Sequence, residues 1–392
     1  MSLGVVVTAT PSGRAFPEAT RAVRPAWAWT PTGLERAPIL CWNRDGVLTP
    51  HRGEPVEDIG GIVLPGLINA HTHLELGPMN VPPGLGLPAW VRCLKASVTP
   101  SEVLAGRGVV ALMAAGTAAV VDVGNAAVAA GPAEAAGLRG RLLHEVLGIE
   151  TVELPVPPRS PSGAALRPTP HAPFSTSAEL IRACAALPGR WSIHFDEDAA
   201  ERELLGAGTG PWADYARSLG RDPRRIPAAG MRPAPYLDQL GVLTPHTLLV
   251  HATLTRGEDL DLLAARGVTV VLCIRSNLFI SGRLPDVPGM VARGIPLALG
   301  TDSLASTPDL DPIAEAAAAA RAFPELPAEL WLRLLTSGGA DAADLALGRL
   351  EEGATPGLLH VAIPDGPAPL GRLLDGTRWP RRWLSLPARV RR

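Results

Sequence analysis

The chain has 392 residues, a formal charge of −2 at pH 7 and 46% hydrophobic residues, which is enough for one large domain and a smaller companion. That balance argues against a nucleic-acid binder built on a basic patch and against an acidic interaction tail, and no apolar run reaches the length of a membrane span. Lys95 is the only lysine, so the positive charge is almost all arginine, and Gly and Pro, at 41 each, read as a compositional habit rather than a low-complexity region. The four cysteines, Cys41, Cys93, Cys184 and Cys273, are isolated and form no CxxC pair, which points to a reducing compartment with no disulfide framework. The N-terminus lacks the basic start and longer apolar core of a signal peptide, so the expected location is cytoplasmic.

In chain order, residues 1 to about 60 read as short strands between Pro/Gly turns, clearest at Val5–Val7, Ala26–Trp29 and Ile39–Trp42. None carries a helical period, so a small β-domain is expected. From Ile62 onward short apolar strands alternate with Ala/Leu/Arg-rich helices. The expected strands are Ile62–His71, Ala118–Val123, Arg141–Val146, Leu166–His171, Trp191–His194, Leu248–His251, Val268–Cys273 and Pro296–Gly300. Capping boxes at Thr99–Glu102, Thr176–Glu179 and Thr255–Glu258 announce helices, and Gly116, Gly189, Gly267 and Gly294 mark helix ends.

Eight strands, each followed by a helix, give the signature of a (β/α)8 TIM-like barrel over residues 61–349. A doubly wound sheet is the alternative, but no GxGxxG-type phosphate loop supports it. Residues 350–392 return to strand-like pieces, notably Leu358–Ile363, and are expected to complete with residues 1–60 a small β-sandwich. The stretch from about Leu205 to Gln239 is long for a connection in a barrel and reads as a lid or specificity loop.

Catalytic groups in a barrel sit at the C-terminal ends of the strands. Here strand 1 ends in His71-Thr72-His73, strand 5 in His194-Phe195-Asp196-Glu197, strand 6 at His251 and strand 8 in Gly300-Thr301-Asp302-Ser303. Residues i and i+2 of a strand share a face, so His71 and His73 project together. A single histidine or Asp302 alone has an ordinary structural explanation, but four such strand ends point to one metal ion held by three histidines and an aspartate. That nitrogen and oxygen set suits Zn²⁺ or Fe²⁺. His51, His246 and His360 are expected to face solvent, and His144, at the end of strand 3, is left open as a pocket residue. His171, in Pro170-His171-Ala172-Pro173, is the better candidate for contact with a substrate. The absence of a lysine near strand 4, of a PCxxC pair and of GxSxG argues against a lysine-bridged binuclear site, a cysteine-ligated deaminase site and a serine nucleophile.

Pro65-Gly66-Leu67-Ile68-Asn69-Ala70-His71-Thr72-His73-Leu74-Glu75 resembles the opening motif of the amidohydrolase superfamily, and more narrowly of its cyclic nucleobase and nucleoside deaminases. Pro170–Ser175, His194–Glu197, Ser276-Asn277-Leu278 and Leu299–Ser303 are similarly placed in that group. The resemblance implies that His71, His73, His194 and Asp302 hold one divalent ion, with Zn²⁺ expected and Fe²⁺ the alternative. It implies that Glu197 carries a proton from water to the substrate ring, that His251 orients the attacking water, and that Asp302 helps protonate the departing ammonia. Tyr236–Gly241, Ile274–Leu278 and Gly300–Ser306 look most like the branch that deaminates aminodeoxyfutalosine in menaquinone biosynthesis.

On that reading Arg275 would pair with a substrate carboxylate, unless it pairs with a neighbouring acid, and Glu75, Ser276 and Asn277 join His171 among the substrate contacts. The segment Trp90–Glu102 departs from the adenosylhomocysteine and methylthioadenosine deaminases, whose ribose-binding glutamate has no clear counterpart after Trp90. Rival readings are a deaminase of those nucleosides, of adenosine or of guanine, a triazine-type hydrolase, and a non-catalytic binding protein. The expected partner is a small nucleoside, with no nucleic acid and no membrane, and the chain as a homo-oligomer is left open.

Overall fold

The computed structural model describes residues 21–222 and 230–387. The strand expected at Val5–Val7 lies outside the described residues. Five strands come first: β1 (Arg21–Thr30), β2 (Gly33–Arg36), β3 (Leu40–Trp42), β4 (Leu48–Thr49) and β5 (Val56–Pro65). Eight more build the body: β6 (Leu67–Thr72), β7 (Thr117–Gly124), β8 (Arg139–Val146), β9 (Arg167–Pro170), β10 (Trp191–Phe195), β11 (Thr247–His251), β12 (Thr269–Leu272) and β13 (Leu297–Leu299). The last two are β14 (Leu358–Val361) and β15 (Arg381–Ser385).

The apolar run from Ile62 to His71 is two strands, because Pro65-Gly66 breaks it. A Cβ at position 66 would stand 2.4 Å from the Ala118 Cβ and 2.8 Å from the Pro356 carbonyl oxygen, so only glycine lets the chain turn there from one sheet into the next. β5 belongs to a seven-stranded mixed sheet ordered β15-β14-β5-β1-β3-β4, with β2 paired to β1. The expected β-sandwich is, in the described residues, this one sheet, and it does draw strands from both ends of the chain. Both of its faces are covered: Ile62 and Leu64 pack into the main core, while the alternate Val63 packs with Val23, Trp42 and Leu350.

β6 to β13 form a TIM-barrel-type α/β body in two parallel halves, β6-β7-β8-β9 and β10-β11-β12-β13. The halves meet without a continuous ladder. At one seam the His194 amide donates to the His171 carbonyl at 2.8 Å, and at the other Asp302 donates its amide to the His71 carbonyl at 3.1 Å. Polar side chains tie the second seam: Asn69 donates to Thr301 Oγ1 at 2.7 Å, and the Thr301 amide donates back to Asn69 Oδ1 at 3.1 Å. The strands are buried along their length, as parallel strands covered by helices must be.

Ser101 and Ser177, not the expected Thr99 and Thr176, cap their helices, accepting from the Leu104 and Leu180 amides at 3.3 Å and 3.1 Å. Thr255 does not; Gly257 stands at that N-cap, and the Thr255 hydroxyl donates to Asp196 Oδ2 at 2.6 Å instead. The connection from β8 to β9 carries no helix, contrary to the expected pattern. Its Pro155, Pro157, Pro158 and Pro161 remove the amide donors a helix needs. The segment read as one long loop holds the helices Pro211–Ser218 and Pro233–Gln239, with residues 223–229 outside the described residues. His360, expected in solvent, is 8% exposed within β14, its Nε2 2.7 Å from the Gly60 carbonyl oxygen. No helix among the described residues is long and apolar enough to cross a membrane.

Candidate metal centre and active site

Four strand ends converge. His71 is the penultimate residue of β6 and His73 the first beyond it, His194 lies in β10, His251 closes β11 and Asp302 follows β13. Gly300 makes the approach of β13 to β6 possible, since a Cβ there would sit 2.7 Å from the His71 Cβ. His251 and Asp302 have φ of 76° and 58°. Non-glycine residues in that region cost about 1–3 kcal/mol each and cluster at functional sites.

The ring orientations follow from their outer hydrogen bonds. His73 Nδ1 lies 2.6 Å from the Val123 carbonyl oxygen and His194 Nδ1 2.9 Å from that of His171. A carbonyl only accepts, so each Nδ1 carries a hydrogen and each ring turns its Nε2 inward. Those two Nε2 atoms are 3.1 Å apart. His71, fully buried, has no hydrogen-bond partner at either ring nitrogen, a costly state for an imidazole. Asp302 Oδ1 lies 4.0 Å from His71 Nε2 and 3.7 Å from His73 Nε2. Its other oxygen is held by the hydroxyls of Ser276 and Ser306 at 2.6 Å and 3.2 Å, which leaves Oδ1 for the histidines.

A divalent cation fits this set. Ligand nitrogens of His71, His73 and His194 all lie within 4.8 Å of one another, and a cation accepting their lone pairs removes both the repulsion between facing nitrogens and the orphaned state of His71. Outer hydrogen bonds that fix the tautomer are the usual support of ligating histidines.

Electrostatics sort the surrounding groups. Burial first, then neighbouring histidines, push His71 and His194 well below the usual imidazole range. Burial takes His171 down to about 3 and His251 to about 4, so both are neutral at pH 7. His73 moves the other way: burial lowers it, but the Glu145, Asp302 and Asp122 carboxylates together outweigh burial. Burial raises Asp122 and Glu145 to about 7. Glu197 is pushed well above the carboxylate range, by burial and then by Asp302. Its Oε2 is 3.6 Å from His251 Nε2. Asp196, beside it at φ 50°, is fixed by Arg202, whose Nε and Nη2 donate to its two oxygens at 2.6 Å and 2.7 Å.

A cavity of about 310 Å³ opens over this cluster. His73, His194, Glu197, His251 and Asp302 line it, while His71 stands behind them. His171 and Glu75 also line it. His171 Nδ1 is 2.6 Å from Ser175 Oγ, and Glu75 accepts from the Asn125 and Ala126 amides at 2.8 Å and 3.1 Å.

Three expected substrate contacts are elsewhere. The carboxylate clamp at Arg275 is corrected: its guanidinium donates to Glu315 Oε2 and Asp309 Oδ1, each at 2.7 Å, and to the Asp309 carbonyl at 2.9 Å. Arg275, Ser276 and Asn277 do not line the cavity. Ser276 acts on Asp302 instead, and Asn277 donates its side-chain amide to Thr253 Oγ1.

Sequence reasoning missed Glu145. It weighed His144, yet Glu145 lines the cavity, its Oε1 buried without a hydrogen-bond partner 3.4 Å from His194 Nδ1. Strand parity carried the signal, since Glu145 shares a face with core Leu143. Lys95, Trp212, Tyr215 and Arg221 on the cavity wall were also missed; they follow from how helices pack, not from any motif.

Comparison with known proteins agrees with this geometry. A model described as "Amidohydrolase family" matches residues 62–367. A 5-methylthioadenosine/S-adenosylhomocysteine deaminase of Syntrophobacter fumaroxidans is 28% identical, covering 92% of this chain and 83% of its own. An aminodeoxyfutalosine deaminase of Deinococcus radiodurans is 30% identical, covering 74% of this chain and 75% of its own. Among solved structures, Helicobacter pylori aminofutalosine deaminase in complex with methylthio-coformycin superposes with a TM-score of 0.77 at 17% identity, over 95% of this chain and 100% of that one.

Proposed function

The chain belongs to the amidohydrolase family and is a metal-dependent hydrolase acting on C–N bonds, and from that premise we propose that it deaminates an adenine-type nucleoside, with 6-aminodeoxyfutalosine as substrate and Zn²⁺ as the ion. The observation that carries the reading is a buried carboxyl, Glu197, 3.6 Å from His251 and on the same cavity as a preformed set of three imidazoles and one carboxylate. The aminodeoxyfutalosine deaminase among the relatives supports the choice of substrate. The relative that acts on methylthioadenosine and adenosylhomocysteine makes those nucleosides the second reading.

A divalent ion held by His71, His73, His194 and Asp302 would supply Lewis acidity and bring the pKa of water from 15.7 toward about 7. The residues around it do the rest. Glu197 Oε2 takes the proton that water gives up and delivers it to the ring nitrogen beside the amino-bearing carbon. Burial suits it to hold that proton between steps. His251 Nε2, neutral and 3.6 Å from Glu197 Oε2, orients the attacking water. The amino group leaves the tetrahedral carbon only when protonated, and Asp302 Oδ1 faces the same cavity to pass that proton. Nucleoside and water thus give the 6-oxo product and ammonia. Leu87, Trp90 and Phe174 keep bulk water from the ring.

The test is the ultraviolet shift from adenine to hypoxanthine with zinc-loaded protein, run across aminodeoxyfutalosine, methylthioadenosine, adenosylhomocysteine, adenosine and 5′-deoxyadenosine. Highest kcat/KM on aminodeoxyfutalosine is expected; a higher value on another member reassigns the substrate, and turnover of none rejects the reading.

A further inference from the structure

The three consecutive acids after β10 have three different fates. Asp196 is taken up by Arg202, Glu197 lines the cavity, and Asp198 does not line it. Asp198 joins two helices instead. Its Oδ1 accepts from the Ala200 amide at 2.8 Å, which caps the helix Ala199–Ala207, and its Oδ2 accepts from the Leu87 amide at 3.3 Å. Leu87 opens the helix Leu87–Ser97, whose own N-cap is Gly86 and offers no side-chain acceptor. One carboxylate thus serves the positive ends of two helices, where a negative charge is favoured.

The helix Leu87–Ser97 docks through its first turn. Besides the bond to Asp198, the Gly84 and Gly86 amides donate to the Phe279 and Ile280 carbonyls, each at 2.8 Å, and Trp90 Nε1 donates to the Ala305 carbonyl at 3.3 Å. These acceptors follow β10, β12 and β13, the strands that lead into Glu197, Ser276 and Asp302. Leu87, Pro88 and Trp90 are buried, whereas Arg92, Lys95, Ala96 and Ser97 are exposed. Gly84 and Gly86, at φ 80° and 74°, give the approach to the helix a backbone that side chains rarely allow. Leu87, Trp90, Val91 and Leu94 of this helix line the cavity together with Glu197.

We infer that Asp198 is a positioning residue: by capping the helix Leu87–Ser97 it holds the cavity wall of Leu87 and Trp90 in register with Glu197. The inference deepens the proposed deamination and rests on it for its kinetic consequence. Asp198 directly follows Glu197 in the chain, so the acceptor that holds the wall and the proton carrier belong to one short segment. That segment is itself stiff. The Glu197 amide donates to Oε2 of the buried Glu201 at 3.1 Å, and the Asp196 carbonyl accepts from the Leu254 amide at 3.0 Å. A wall tied to a stiff segment keeps its spacing from the group that segment presents, which is how outer hydrogen bonds preorganise a site.

Asp198→Ser separates the two caps. Serine is a good N-cap for the helix Ala199–Ala207, but its one oxygen, on a shorter side chain, cannot serve Leu87 as well. Loss of a cap is worth about 1 kcal/mol, or roughly fivefold. Hydrogen exchange read by mass spectrometry needs no turnover. In the variant the amides of Leu87–Ser97 should exchange roughly fivefold faster, with those of Ala199–Ala207 unchanged. Unchanged exchange in the first helix, or equal loosening of both, overturns the inference. With zinc-loaded protein and the nucleoside of highest kcat/KM, KM should rise about fivefold at nearly constant kcat. A merely structural lesion lowers the active fraction, and so kcat alone; an unchanged KM therefore also overturns the inference. If wild type turns over no nucleoside, the deaminase reading has failed, and the exchange experiment alone decides whether Asp198 holds the wall.

Discussion

His73 and His194 face each other Nε2 to Nε2 at 3.1 Å, each held in place by an Nδ1 hydrogen bond to a main-chain carbonyl. Two ring nitrogens facing at that distance share a proton or sit beside a metal cation, and the converging donor set fits the metal. Metal binding should therefore stabilise the fold as well as enable chemistry. At a free Zn²⁺ concentration a thousand times its Kd, linkage gives about 4 kcal/mol. Thermal unfolding with zinc against chelator should show a clear rise in Tm, and the rise should largely vanish in His194→Ala. An unchanged Tm with no bound metal by elemental analysis would count against the site.

Glu197 separates binding from proton transfer. Glu197→Gln keeps the size of the side chain and touches none of the three imidazoles or Asp302, so metal content should match wild type. Turnover should fall by about 10²–10⁴-fold, the usual worth of a positioned acid–base group. Near-normal kcat in this variant would remove Glu197 from the proton path.

Arg275 now has a structural role. Glu315, whose side chain is fully buried, accepts from the Arg275 guanidinium and from its main-chain amide. Arg275→Ala leaves that carboxylate unpaired, and removing one partner of a buried pair costs about 3–5 kcal/mol. The denaturant midpoint should drop accordingly. A variant of wild-type stability that loses activity on acid substrates alone would restore the carboxylate clamp.

The cysteines give a prediction on pH. Burial raises the Cys184 thiol to about 12 and Cys273 well above the usual thiol range. Cys93, half-buried on the helix Leu87–Ser97, is the more accessible sulfur. A disulfide reagent at pH 8 should label Cys93 first, with Cys184 and Cys273 reacting only as the protein unfolds. An acid whose folded pKa is raised keeps its proton longer than in the unfolded chain, so Cys184 makes stability fall as pH rises from about 9 to about 12. Cys184→Ala should flatten that part of the alkaline unfolding curve, and rapid labelling of Cys184 in the native protein would contradict its burial.

The strand ends were legible because they rest on one local rule, period two along a buried strand. That rule with the His-x-His spacing located His71, His73, His194, His251 and Asp302 at strand ends that the fold brings together. Where the answer depends on packing across the molecule, the sequence was silent or misleading. Arg275 stayed open between a substrate carboxylate and a neighbouring acid because Glu315 and Asp309 lie 40 and 34 residues away. Ser276 looked like a ligand contact because its bond to Asp302 exists only once β12 and β13 pair. Glu145 was overlooked for the histidine before it, although parity with Leu143 pointed inward. The small β-domain was recognised from its turns, but its single-sheet arrangement depends on a break at Pro65-Gly66 that pattern alone does not show.

The central claim is that this cluster of imidazoles and carboxylates releases ammonia from an adenine-type ring. The most direct measurement follows ammonia and hypoxanthine chromophore together, with aminodeoxyfutalosine, in zinc-loaded protein and in protein stripped by a chelator. The account predicts one ammonia per hypoxanthine formed, lost on stripping and restored by adding zinc. Full activity in the stripped, metal-free protein, or no ammonia from any adenine nucleoside in the loaded one, would contradict it.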